Sequence, residues 1–95
     1  MYRLGGSLHL TLHQLRLLLA TAQEGSVSRA AERLHLTQSA LSAQLKQLAE
    51  QVGLPLHERV GRRLHLTEAG RLVAAAAARV AEELGQLENE LAVLR

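Results

Sequence analysis

Residues 26–52, SVSRAAERLHLTQSALSAQLKQLAEQV, set the tightest limit on what this chain can fold into. Ala30, Ala31 and Leu34 recur at helical spacing, and so do Leu41, Leu45, Leu48 and Val52 in the run that follows. Only His35 and Leu36 separate these runs from Thr37, whose hydroxyl can accept from the backbone N–H groups that a new helix leaves unpaired. Ser26 or Ser28 can cap the first run in the same way. The two alanines are small enough to let the helices lie close together. The pattern predicts a helix-turn-helix, a motif whose second helix suits a DNA major groove.

On the side of that second helix away from the leucines stand Gln38, Ser39, Ser42, Ala43 and Lys46. The face is polar, short-chained and nearly free of acid, as a surface meeting phosphates and base edges should be. A solvated face with no partner is the alternative, although such faces usually mix Glu with Lys.

The flanking residues predict the rest of the domain. Residues 1–10 hold Gly5–Gly6 and no period, and read as a flexible lead-in. Thr11 and Gln14 have the form of a capping box, and Leu12, Leu15, Leu18, Leu19 and Ala22 give the first helix an apolar face that Gly25 ends. Gly53 and Pro55 stop the third helix. LPLHERVGRRLHLT then alternates about Val60–Gly61–Arg62, which predicts a β-hairpin, a wing. Its tip would present Arg62 and Arg63, with Arg59 at its base, an arrangement suited to phosphates or a minor groove. A solubilising loop is the competing account.

Thr67 caps a last helix that can run to the C-terminus. Val73, Ala77, Val80, Leu84, Leu87, Leu91 and Leu94 follow at alternating steps of four and three, a heptad seam. So small a domain has nothing to cover the far end of such a helix; a second copy or another domain is the natural cover, and the seam predicts self-association. The expected organisation is a lead-in over 1–10, a winged helix-turn-helix over 11–66 and a dimerisation helix over 67–95.

Composition narrows the classes. The 95 residues include no Phe, Trp, Cys or Asp, and Tyr2 is the only aromatic, so the core must be aliphatic and mainly helical. Without cysteine there is neither a disulfide nor a thiolate metal site. No apolar run approaches the ~20 residues that span a bilayer, so no membrane partner is expected and the cytoplasm is the default location. The net charge of +2 is small, but its distribution is not even. Residues 26–71 carry seven Lys or Arg against four Glu, and residues 72–95 carry two Arg against four Glu. A basic middle and an acidic tail imply different partners.

Catalysis has little support. His9, His13, His35, His57 and His65 fall on different predicted elements, and no Cys or Asp is available to complete a metal site. No glycine-flanked nucleophile or phosphate loop is present. Neither a metal nor a cofactor is expected.

The order of elements, and residues 12–70 in detail, resemble the N-terminal domain of LysR-type transcriptional regulators. The residues that carry the likeness are Gly25-Ser26 with Ala30-Ala31-Glu32-Arg33-Leu34, then Gln38 with Ala40-Leu41-Ser42, then Leu48 with Val52-Gly53, Glu58-Arg59, and Leu66-Thr67-Glu68-Ala69-Gly70. Within the family, HLTQSALSAQLKQL and VGLPLHERVGRRLHLTEAG look most like the regulators of Calvin-cycle operons. The resemblance implies a homodimer, or a tetramer built as a dimer of dimers, on an interrupted inverted repeat of double-stranded promoter DNA. It implies base contacts from Gln38, Ser39 and Ser42 with Ala43 beside them, phosphate contacts from Ser28, Thr37 and Lys46, and wing contacts from Arg62, Arg59 and Arg63. Position 39 is often Pro in the family and is Ser here, and the family's usual aromatics give way to Leu18, Val27 and His57. The family's ligand-binding domain would follow Arg95, so no small-molecule site is expected within these residues. The rival reading is a winged helix that serves protein contacts and oligomerisation without specific DNA binding.

Overall fold

Leucine-rich amphipathic runs punctuated by Thr, Ser and Gly give this chain its helices. The fold is taken from a computed structural model, which describes residues 8–61 and 63–95. Of the expected lead-in, residues 1–7 lie outside the described residues, and Leu10 packs against the core. The elements run α1 (Leu12–Glu24), α2 (Val27–Leu34), α3 (Gln38–Val52), β1 (His57–Val60), β2 (Arg63–Leu66) and α4 (Glu68–Leu94). No helix among the described residues is long and apolar enough to cross a membrane.

Each helix starts at the cap its sequence offers. Thr11 and Gln14 close a full capping box, with the Gln14 N–H donating to Thr11 Oγ1 at 3.1 Å and the Thr11 N–H to Gln14 Oε1 at 2.9 Å. Ser26, of the two serines, caps α2, which places Ser28 inside its first turn. Thr37 and Thr67 cap α3 and α4. Gly25 and Gly53 take the left-handed conformation that ends α1 and α3, at φ 68° and 84°. At the end of α2 the same role falls to His35, at φ 58°.

The core is aliphatic, as the composition requires. Leu17 and Leu18 of α1, Ala30 and Ala31 of α2, Leu41, Leu45 and Leu48 of α3 and Leu56 ahead of β1 form one buried cluster. Burying each leucine is worth about 1.5–3 kcal/mol relative to leaving it exposed. Val27, Leu34, Leu36, Val52, Leu66 and Val73 pack around this cluster, half-buried.

The apolar face of α1 is not the one the spacing suggests. Gln14, Leu17, Leu18, Ala20 and Thr21 are buried, whereas Leu15, Leu19 and Ala22 are half-buried and Leu12 is 39% exposed. This helix carries leucine over more than one face, so periodicity alone cannot choose among them; contact with α2, α3 and α4 together makes the choice. Among the described residues the buried polar side chains, Gln14 and Thr21, are both satisfied. Gln14 donates its side-chain amide to Gln51 Oε1 of α3, and Thr21 donates its hydroxyl to the Leu17 carbonyl at 2.8 Å.

Strands β1 and β2 form a two-stranded antiparallel hairpin, with His57 opposite Leu66, Glu58 opposite His65, Arg59 opposite Leu64 and Val60 opposite Arg63. Gly61 turns the chain at φ 65°. The base of this wing is knitted to α4. The Leu56 carbonyl accepts from the Thr67 N–H at 3.0 Å, and the Thr67 hydroxyl donates to the Pro55 carbonyl at 2.6 Å. The molecule is a winged helix-turn-helix with a long C-terminal helix.

Candidate nucleic-acid interface

The helix-turn-helix leaves one side of α3 exposed among the described residues. Its leucines Leu41, Leu45 and Leu48 face inward, so Gln38, Ser39, Ser42, Ala43 and Lys46 are all exposed. At 100° per residue, Gln38, Ser39, Ser42 and Lys46 share an arc of about 100°, with Ala43 at its margin. No acidic residue lies in the first turn of α3. The positive end of the helix dipole there meets no acid of its own first turn, although Glu58 of the wing lines the groove beside it. A helix of this width fits the major groove, and its N-terminal residues would reach furthest in.

The Thr37 hydroxyl accepts from the Ala40 N–H at 3.1 Å and lies 3.3 Å from the Ser39 hydroxyl. Thr37 is therefore both the cap that starts α3 and an exposed polar group at its tip.

A groove of about 400 Å³ runs between the start of α2, the start of α3 and the wing, and Ser28, Gln38 and Arg59 all line it. Three residues from three separate elements thus share one concave surface. Ser26, His57, Glu58 and Leu64 line it as well. Arg59 stands opposite Leu64, one pair below the tip and not at the base, where His57 and Leu66 pair. Arg63 opposes Val60 at the tip and is exposed. Arg62 lies outside the described residues.

Two features of the frame are not visible in periodicity. Arg33 of α2 donates to Gln23 at 2.9 Å and pairs with Glu24 at 3.2 Å, which holds the ends of α1 and α2 together. Gln14 couples the start of α1 to Gln51 near the end of α3. The capping box marks Gln14 in the sequence, but nothing there marks its reach to Gln51.

The heptad seam of α4 divides in two. Val73 packs against the core of its own domain and Ala77 is buried at 3% exposure, so these first two positions are taken up within the chain. Beyond them Val80 is 36% exposed, Leu87 48%, Leu91 36% and Leu94 82%, with Leu84 half-buried. The open seam therefore begins at Val80.

Residues 12–71 match the family described as "Bacterial regulatory helix-turn-helix protein, lysR family". The chain belongs to the LysR family. Among its relatives is the "RuBisCO operon transcriptional regulator" of Acidithiobacillus ferrooxidans, 45% identical over 87 residues that make up 92% of this chain and 28% of the relative. The chain thus spans under a third of the length of that protein. Two of the solved structures that share the fold are DNA complexes. One is the DNA complex of the CbnR DNA-binding domain, with a TM-score of 0.79 and 32% identity over 90% of this chain and all of that one. The other is the BenM DNA-binding domain with its catB site 1 DNA, with a TM-score of 0.83 and 28% identity over 90% of this chain and 96% of that one. This LysR-family domain has, in its exposed α3 face and wing, the parts that a DNA-binding winged helix uses.

Proposed function

We propose that these residues form the sequence-specific DNA-binding domain of a bacterial transcriptional regulator that reads an inverted repeat in promoter DNA as a homodimer. In this reading α3 enters the major groove, where Gln38, Ser39 and Ser42 meet base edges beside Ala43. Ser28, Thr37 and Lys46 hold phosphates, while Arg59, Arg62 and Arg63 of the wing meet the backbone or the minor groove. The observation that carries it is the convergence of Ser28, Gln38 and Arg59 on one groove beside an α3 whose first turn holds no acid. The DNA complexes solved for two LysR-family domains of the same fold support it. The names of relatives that regulate RuBisCO operons favour promoters of carbon-fixation genes as targets. The dimer would form through Val80, Leu84, Leu87, Leu91 and Leu94, in a cytoplasmic protein that need carry out no catalysis.

A winged helix used for protein contacts alone is the second reading, and the exposed seam of α4 is what favours it. Salt separates the two. Each phosphate neutralised steepens the fall of log affinity with log salt by about 0.9, while an apolar seam changes little. Fluorescence anisotropy with promoter-derived inverted-repeat duplexes should show binding at low salt, in the nanomolar range or weaker, that drops steeply as salt is raised. Absence of binding to every such duplex at low salt would leave only the protein-contact reading.

A further inference from the structure

One side chain of the recognition face is chemically constrained by its neighbour. Ser39 stands exposed in the first turn of α3, with its hydroxyl 3.3 Å from that of Thr37, a long separation for a hydroxyl pair. Thr37 Oγ1 already accepts from the Ala40 N–H at 3.1 Å. A threonine hydroxyl has one hydrogen and two acceptor lone pairs, so one lone pair remains. The two hydroxyls can then share in two ways. Thr37 can give its hydrogen to Ser39, leaving the Ser39 hydrogen free for a base. Alternatively, Ser39 can give its hydrogen to Thr37, leaving the Thr37 hydrogen free for a phosphate and Ser39 with lone pairs only.

Beside DNA the second arrangement is favoured. A hydroxyl bond to an anionic oxygen is shorter than a neutral one and about twice as strong, and Thr37 sits at the helix end that an anion approaches. In that arrangement every site on Thr37 Oγ1 is used. We propose that Ser39 is a specificity-determining residue that reads its base as an acceptor only, because its hydrogen is committed to Thr37. On the major-groove edge the donors are the amino groups of adenine N6 and cytosine N4. Each Watson–Crick pair offers one such amino group, so Ser39 takes its hydrogen bond from the adenine or cytosine of the pair it meets and not from a guanine or thymine acceptor. This rests on the DNA-binding reading above, and adds to it the class of base that one residue selects.

The test takes the 95-residue chain and its Ser39→Ala variant through selection of bound duplexes from a randomised pool. The base pair where the two profiles differ is the one facing Ser39, and its adenine or cytosine carries the amino group to be deleted. Anisotropy titrations then compare the preferred duplex with one lacking that amino group, purine replacing adenine or 2-pyrimidinone replacing cytosine. Deleting the amine should weaken the wild-type chain about three- to tenfold more than Ser39→Ala, the range of one neutral hydrogen bond. Thr37→Ser, which keeps both the cap and the shared hydroxyl, should retain the preference. Identical profiles, equal losses in both proteins, or a Thr37→Ser variant that no longer prefers the amine would overturn the proposal while DNA binding itself stands. No binding to any duplex in the pool would overturn it together with the DNA-binding reading.

Discussion

The sharpest test of this architecture is a single methyl group at Gly70. A Cβ built there would stand 1.8 Å from the Leu56 carbonyl oxygen, 2.9 Å from its carbon and 3.3 Å from Leu66 Cδ2. The nearest obstacle is backbone, which cannot swing aside as a flexible side chain can. To accept Gly70→Ala, the first turn of α4 must lift away from the base of the wing. The same movement strains the bonds from the Thr67 N–H to Leu56 and from the Thr67 hydroxyl to Pro55. Two lost hydrogen bonds are worth about 1 kcal/mol each, and an overpacked site costs about 1–3 kcal/mol. Against this, alanine gains about 1 kcal/mol over glycine inside a helix. The net expectation is a loss of about 2–4 kcal/mol, or a fall in Tm of roughly 10–25 °C for a domain of this size. Gly85 supplies the control, since it lies on the same helix with nothing within 4 Å of an added Cβ. Gly85→Ala should stabilise by up to about 1 kcal/mol. Thermal unfolding followed by circular dichroism, with all proteins at one concentration, measures both. If the two variants shift Tm in the same upward direction, the close approach of α4 to Leu56 is not a feature of the folded protein.

Three further outcomes can be checked. Leu87→Glu puts a charge on the open seam and should convert a mass of two chains to one by light scattering; a wild-type mass already equal to one chain would remove the seam from the account. His35→Gly relieves a left-handed residue that carries a Cβ and should stabilise by about 1 kcal/mol, and a lower Tm would mean that the imidazole makes a contact worth more than that relief. Arg63→Ala should weaken anisotropy-measured binding by a similar factor for all duplexes and lower the salt slope by about 1, whereas a changed base preference would make Arg63 a base reader.

Much of this fold can be read from local chemistry, because local chemistry determines it. The caps at Thr11, Thr37 and Thr67, the stops at Gly25 and Gly53, and the inward stripe Leu41–Leu45–Leu48 all depend on neighbours within a turn or two. What the sequence misplaces is decided by contacts far apart in the chain. The buried face of α1 is set by three other helices, so a run with leucines on several faces misleads. Val73 and Ala77 fit a continuous seam by spacing, but their own domain covers them first. Gly70 belongs to a motif in the sequence, yet its reason for being glycine appears only when Leu56 is folded against it. The recognition face was legible because exposure on α3 is simply the complement of its leucine stripe. The groove joining it to the wing was not, because it needs α2, α3 and β1 to be placed together.

These long-range contacts are also what would turn separate contacts into a reader of a two-part site. The wing is fixed to the first turn of α4 through Pro55, Leu56 and Thr67, and the end of α3 is held to α1 through Gln51 and Gln14. The proposed DNA-facing elements are thus referenced, the wing directly and α3 through α1, to the same end of the helix whose other end is exposed. From Val80 to Leu94 that open stretch is about 21 Å long at 1.5 Å per residue. A second copy seated on it would fix the direction in which each α3 points, and with it the spacing of half-sites, which must match whole turns of about 34 Å along the duplex. A tilt at the first turn of α4 would be carried along the helix and change that spacing at its far end. Selectivity for an inverted repeat should therefore be sensitive to Gly70, a residue that lies against Leu56 and not on the α3 face.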